Sequence, residues 1–285
     1  MAIAALTTPL SAAPLASQPG GIVSTPVKIN DQQTFEFIVD TGASQTVISG
    51  RLIDTLALTA FPGASEALMG ATGAGRTEVY ALSSVEIDGK RKGLIRAIGQ
   101  RAFPPLGTAQ GIIGADFLAD HVVDFDFPRN ELRLLEASEI PSTRGWRILP
   151  ITFNRRAFPV LQGLIGGVPV TIILDTGAQL TIVNSAAASK LSQAGDLGGA
   201  ALPGHRPQAR GATGHAVSLQ MRNFADFSVG DFKLDPQRIA VADLPVFNTL
   251  GLDETPAMIL GIDKLRGLRM IVDYPRSRLL IKPGS

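Results

Sequence analysis

The chain has 285 residues, 45% of them hydrophobic and 18% charged, a profile that excludes disordered and fibrous classes. Its 26 Lys and Arg against 25 Asp and Glu leave a formal charge of +1, so charge balance makes no case for nucleic acid or an acidic surface as a partner. The absence of cysteine removes disulfides, thiolate catalysis and Cys-based metal sites together, and leaves the redox compartment open.

In chain order, Ala2 to Ala16 is rich in Ala and Leu, with Pro9, Pro14 and Pro19 nearby. Two readings fit this stretch. It is the tail of an export signal, with Ser11, Ala12 and Ala13 as the small-residue cleavage region but no basic n-region; or it is a low-complexity arm outside the fold. The first reading points to a periplasmic or secreted protein. Either way residues 1–21 are set aside as a leader or flexible arm. No later run reaches the ~20 uninterrupted apolar residues of a membrane span.

From residue 22 the chain states one pattern twice. A turn at Asn30-Asp31 precedes the apolar run Phe37-Ile38-Val39, which ends in Asp40-Thr41-Gly42-Ala43; Gly166-Gly167 likewise precedes Ile172-Ile173-Leu174 and Asp175-Thr176-Gly177-Ala178. Short helices are expected at Leu52 to Leu58 and Ala186 to Leu191, one after each Asp-Thr-Gly. The tetrapeptide Gly70-Ala71-Thr72-Gly73 recurs as Gly211-Ala212-Thr213-Gly214, each copy followed by a strand-like segment. Ile112-Ile113-Gly114 with Asp116 recurs as Ile259-Leu260-Gly261 with Asp263. A closing hairpin, Val122 to Phe125 turning at Pro128-Arg129-Asn130, recurs as Ile271 to Tyr274 turning at Pro275-Arg276-Ser277. The offset between copies grows slowly along the chain, as small loop insertions in a duplicated domain would make it. The segment 136–150, with Pro141, Ser142, Thr143 and Gly145, reads as the boundary, giving units of 22–140 and 141–285. Short β-branched and aromatic runs punctuated by Gly, Pro and Asn-Asp make both units all-β with minor helices.

An aspartate that follows three apolar residues and precedes Thr-Gly places a carboxylate where desolvation penalises its charge. Two such groups compensate best together. Packed about an approximate twofold axis, Asp40 and Asp175 would meet and share a proton, one accepting from water while the other donates to a carbonyl oxygen. Gly42 and Gly177 suit a turn that needs close backbone approach and conformations closed to other residues.

These tandem Asp-Thr-Gly-Ala and aliphatic-aliphatic-Gly motifs resemble the aspartic protease superfamily, and more closely its retropepsin-like branch, over roughly residues 22 to 283. The resemblance implies a bilobal acid-protease fold made of two retropepsin-like β-barrel repeats with short helices. It implies an aspartic endopeptidase with Asp40 and Asp175 as the catalytic pair. Thr41 and Thr176 would interlock between the lobes, Gly42 and Gly177 would support the dyad through backbone N–H groups, and the Gly114 and Gly261 motifs would brace the catalytic loops. Ala71, Thr72, Gly73 and Ala212, Thr213, Gly214 would belong to two substrate-covering flaps. The partner would be a peptide or protein substrate, with no metal and no organic cofactor. Because one chain supplies both carboxylates, unlike the single-motif chains of retropepsins, a homodimer is not required for the dyad. Tyr80 is not placed for the flap tyrosine of pepsin-like enzymes. Ser44 and Gln179 follow the two motifs, so the lobes differ chemically. A non-catalytic peptide-binding or regulatory module of the same fold is the alternative.

The remaining polar residues read as structural. Asp116 and Asp263 fit helix N-caps, and Asp124 and Asp273 fit strand ends. His121, His205 and His215 lack metal-ligand spacing. Lys90-Arg91-Lys92 beside Gly89 fits a solvated hairpin tip.

Overall fold

In a computed structural model, residues 12–70, 73–140, 142–194, 197–198, 208–210, 216–224, 226–230, 232–234 and 238–284 are described. The chain forms a bilobal, almost entirely β architecture in which each lobe repeats the same local plan. In the first lobe an eight-stranded sheet runs from Ala16–Ser17 to Ala60–Gly70, and a further pairing of Val23–Ile29 with Gly73–Ile87 curls it upon itself. The second lobe is built on a ten-stranded sheet spanning Thr152–Phe153 to Ala257–Leu260 in sequence. Hairpin turns explain the local chirality: Asn30 and Asp31 both have positive φ, of 55° and 57°, as do Gly166 and Gly167 in the matching turn. Asn, Asp and Gly tolerate that region of backbone space best.

The apolar run before each aspartate is a central strand, buried on both sides. Gln33–Val39 pairs in parallel with Gly111–Ile113, and Val168–Leu174 pairs in parallel with Ala257–Leu260. Strands covered on both faces read as continuous apolar runs, which is the pattern the sequence carries here. The expected helices form as Gly50–Thr55 and Ser185–Gln193. Both begin slightly earlier than hydrophobic periodicity alone places them. Ser49 and Asn184 are the N-caps, and their side-chain oxygens accept from the Leu52 and Ala187 amides.

A six-stranded sheet joins the lobes, ordered Ala13–Pro14, Glu131–Leu135, Val122–Asp126, Leu268–Asp273, Arg278–Pro283 and Arg147–Pro150. At its centre Val122–Asp126 runs antiparallel to Leu268–Asp273, with Val123 opposite Val272. One face of this pair, carrying Val123, Phe125, Met270, Val272 and Tyr274, packs into the same core as Val39 and Leu174, the residues that precede the two aspartates. The opposite face holds Val122, Leu135, Trp146, Ile271 and Leu280. Asp124 is buried in this sheet and takes a two-pronged bond from Arg269 of the other lobe, at 3.0 and 2.6 Å. Asp273 is matched by Arg278 at 2.7 Å.

Two sequence expectations change. Residues 1–21 were expected to lie outside the fold, but 12–21 are part of it: Ala13–Pro14 pairs with the strand at 131–132, Leu15 is buried, and the Gln18 side chain bonds to Ser24 and Thr108. Residues 1–11 fall outside the described residues. The basic run at the Asp88-Gly89 turn is not simply solvated. Lys90 meets Glu136 at 2.8 Å, Arg91 meets Asp31 at 2.8 Å and Lys92 meets Asp120 at 2.6 Å.

Candidate active site

The two parallel strand pairs end side by side between the lobes. The Asp40 amide donates to the Ile113 carbonyl at 3.0 Å, and the Asp175 amide donates to the Leu260 carbonyl at 3.1 Å. Each Asp-Thr-Gly turn is therefore hung from its aliphatic-aliphatic-Gly strand in the same way. The following glycines pack tightly: a Cβ on Gly114 would meet the Ala43 and Gln45 carbonyls at 2.8 Å, and one on Gly261 would meet the Leu180 carbonyl at 2.7 Å. No side chain fits there.

Thr41 and Thr176 are fully buried and exchange bonds between the lobes. The Thr41 amide donates to the Thr176 hydroxyl at 3.0 Å, and that hydroxyl donates to the Val39 carbonyl at 2.6 Å. Reciprocally, the Thr176 amide donates to the Thr41 hydroxyl at 3.1 Å, which donates to the Leu174 carbonyl at 2.8 Å. Every polar atom of the two threonine side chains is satisfied, as burial requires.

Above this lock the two carboxyls cross over. A Cβ on Gly42 would lie 2.5 Å from the Asp175 Cγ, and one on Gly177 would lie 2.3 Å from the Asp40 Cγ. Neither glycine has a positive φ, so the sequence expectation of an unusual backbone conformation is corrected. Space for the opposing carboxyl is what demands glycine. Each carboxyl acts on the ionisation of the other. Asp40 Oδ1 accepts from the Gly42 amide at 2.7 Å, whereas Asp175 Oδ1 accepts from two amides, Gly177 and Ala178, each at 2.9 Å.

Burial, and after it the Asp175 charge, holds Asp40 well above the usual carboxylate range, against the pull of the Gly42 and Gly177 amides. Burial raises Asp175 as well, while its contact with Asp40 and the Ala178 and Gly177 amides hold it back. The two groups titrate as a pair, and burial pushes both carboxyls up, Asp40 further than Asp175.

Asp116 and Asp263 do not cap the short helices that contain them; Gly114 and Gly261 occupy those N-cap positions. Their carboxylates instead take the amide and hydroxyl of Thr46 and of Thr181, at 2.7 to 2.8 Å. Each pair fastens the flank of an Asp-Thr-Gly turn to the strand it hangs from. Sequence reasoning missed Thr46 and Thr181, although they stand at matched positions after the two aspartates. Gln179, the residue that makes the second motif differ from the first, donates its side-chain amide to the Pro19 carbonyl at 3.3 Å and so ties that motif to the N-terminal segment, a contact the sequence did not reveal.

Of the residues expected in flaps, Gly73 pairs with Gly70 and closes the hairpin of Ala60–Gly70 and Gly73–Ile87. Ala71, Thr72, Ala212, Thr213 and Gly214 lie outside the described residues. Strands Gln208–Arg210 and Ala216–Ser218, which flank the second set, pair antiparallel. His121 packs against Phe117, with ring centroids 5.3 Å apart; His205 and His215 are outside the described residues. Among the described residues no group of His, Asp and Glu is arranged to hold a metal ion, and no helix is long and apolar enough to cross a membrane.

A family model for aspartyl proteases matches residues 25–117 and again residues 161–263. The chain belongs to that family, as a tandem two-repeat member. No curated protein matches the sequence.

Proposed function

We propose that the chain is an aspartic endopeptidase acting through a water held between Asp40 and Asp175. The observation that carries this reading is the crossed placement of the carboxyls, each seated over the glycine of the other lobe. Asp175, with two amide donors, is the ionised partner and takes a proton from water. The water oxygen bonds to the scissile carbonyl carbon while Asp40 gives its proton to the carbonyl oxygen. In the collapse, the proton on Asp175 passes to the departing nitrogen, the C–N bond breaks, and Asp40 recovers a proton from the diol. Membership of the aspartyl protease family supports a peptidase activity of this kind. An extended peptide would lie between the lobes with its backbone paired to flanking strands, alternate side chains entering alternate pockets.

The deciding experiment is cleavage of a diverse peptide library from acidic to neutral pH by wild type, Asp40→Asn and Asp175→Asn, with pepstatin as a probe. Each substitution should lower cleavage by about a thousandfold or more. Cleavage that survives both substitutions overturns the assignment; a folded wild type that cuts nothing points to a non-catalytic peptide-binding or regulatory module.

A further inference from the structure

Gln45, five residues after Asp40, sits on a firmly held stretch of chain. The Asp116 amide donates to the Ser44 carbonyl before it at 3.2 Å, and the Thr46 amide and hydroxyl after it reach the Asp116 carboxylate. From this base the Gln45 side-chain amide donates to Glu66 Oε2 at 2.8 Å. Glu66 belongs to Ala60–Gly70, the outer strand of the first-lobe hairpin, so the tie runs from the flank of the Asp40 turn to the hairpin arm.

The other carboxylate oxygen of Glu66 accepts from Arg96 at 3.0 Å. Arg96 lies on Lys90–Gln100, opposite Ala81 of the inner hairpin strand, and reaches across that strand to the outer one. Its guanidinium also stands over the Phe61 ring, 5.0 Å from the centroid. Phe61 sits in a bulge and Glu66 just beyond it: Ala60 is opposite Tyr80 but Ser65 is opposite Glu78, and Gly63 between them has a φ of 69°. A bulge interrupts the ladder and bends the strand, so pairing alone does not fix the arm that follows. Arg96 and Gln45 grip that arm through one carboxylate.

The second lobe is built differently. Leu180 stands five residues after Asp175, where Gln45 stands after Asp40, and packs with Ala209 and Val217 against one apolar cluster; those two residues lie on the paired strands Gln208–Arg210 and Ala216–Ser218.

We propose that Glu66 is a positioning residue for substrate binding: by joining Gln45 to Arg96 it sets the hairpin arm against the Asp40 turn, and so governs affinity for peptide rather than the chemical step. The inference rests on the aspartic peptidase reading. A loosened arm must be reordered each time a peptide binds, and that penalty falls on KM; the dyad, hung from Ile113 and Leu260, keeps its geometry.

The test uses Glu66→Ala, Glu66→Gln and Gln45→Leu, the last placing the second lobe's residue in the first. In Glu66→Ala and Gln45→Leu, KM for a cleaved peptide should rise about three- to tenfold with kcat changed less than about twofold. Glu66→Gln, which keeps an acceptor for Gln45, should recover part of the loss. Gln45→Leu added to Glu66→Ala should do no further harm, because the tie is already gone. An unchanged KM, a loss in kcat alone, additive effects, or a Glu66→Gln no better than Glu66→Ala overturns the proposal. Hydrogen exchange of the free protein needs no substrate. The paired amides of 65–70 should exchange about tenfold faster in Glu66→Ala and Gln45→Leu than in wild type, while those of Val47–Ser49 stay protected. Equal exchange also overturns the proposal. A wild type that cleaves nothing fails the peptidase reading, whereas the exchange rates judge the tie by themselves.

Discussion

The hydroxyl of Thr176 accepts from the Thr41 amide and donates to the Val39 carbonyl, so one atom of the second lobe satisfies two backbone groups of the first. Thr176→Val keeps the volume but strands a buried amide and a buried carbonyl. A loss of about 2–4 kcal/mol is expected in urea unfolding. The cycle with Thr41→Val should be non-additive, because the two hydroxyls serve one interface; additive losses would show that the lock does not act as a unit.

Gly177→Ala should abolish cleavage while leaving a folded protein. The new Cβ would fall 2.3 Å from the Asp40 Cγ, and the carboxyl must move to admit it. A loss of about a hundredfold or more in kcat with normal circular dichroism is the expected result. Near wild-type kcat would mean that the crossed carboxyl position is not needed.

Arg269→Met should destabilise the chain by about 3–5 kcal/mol, since it leaves Asp124 buried without its two-pronged partner from the other lobe. Asp124→Asn made together with Arg269→Met should recover part of that loss by removing the stranded charge. Thermal unfolding of the single and double variants checks both expectations.

The dyad makes stability depend on pH in a defined sense. Burial raises both carboxyls above their unfolded values, so the folded chain holds protons that the unfolded chain has released. Stability from this source is fully present below the ordinary carboxylate pKa of about 4 and is lost as pH rises through the folded values. Asp40→Asn, neutral at every pH, should therefore melt above wild type at neutral pH and match it in acid. A constant difference across the range would contradict the linkage.

Leu15→Ala should cost about 2–4 kcal/mol, because the truncated side chain is buried in the core. An unchanged melting temperature would return this segment to the status of a dispensable arm.

How much of this was legible depended on what kind of signal each feature leaves in the sequence. The doubled Asp-Thr-Gly and the apolar runs before it announce themselves, because a strand buried on both faces must be continuously apolar and a site made twice must repeat its residues. The bonds of Asp116 to Thr46 and Asp263 to Thr181 were hidden, since a carboxylate just after a helix start looks locally like a cap. Leu15 was hidden by its company: Ala and Pro around it have the composition of a flexible tail, and only tertiary pairing turns that stretch into strand. The role of Gly42 was half visible. Need for glycine was legible, but the reason lies in a carboxyl 133 residues further along the chain, at Asp175, in the opposite lobe.

The register of the joining sheet also fixes which copies can stand together. Asp126 lies opposite Arg269, and the residue of the first half that matches Arg269 in the repeat is Asp120. Two first halves docked in the same manner would therefore set Asp126 of the strand against Asp120 in the turn before its counterpart, where like charges repel. The duplicated units are not equivalent at this position: the attraction available between the halves becomes a repulsion of up to about 1 kcal/mol between two copies of the first half.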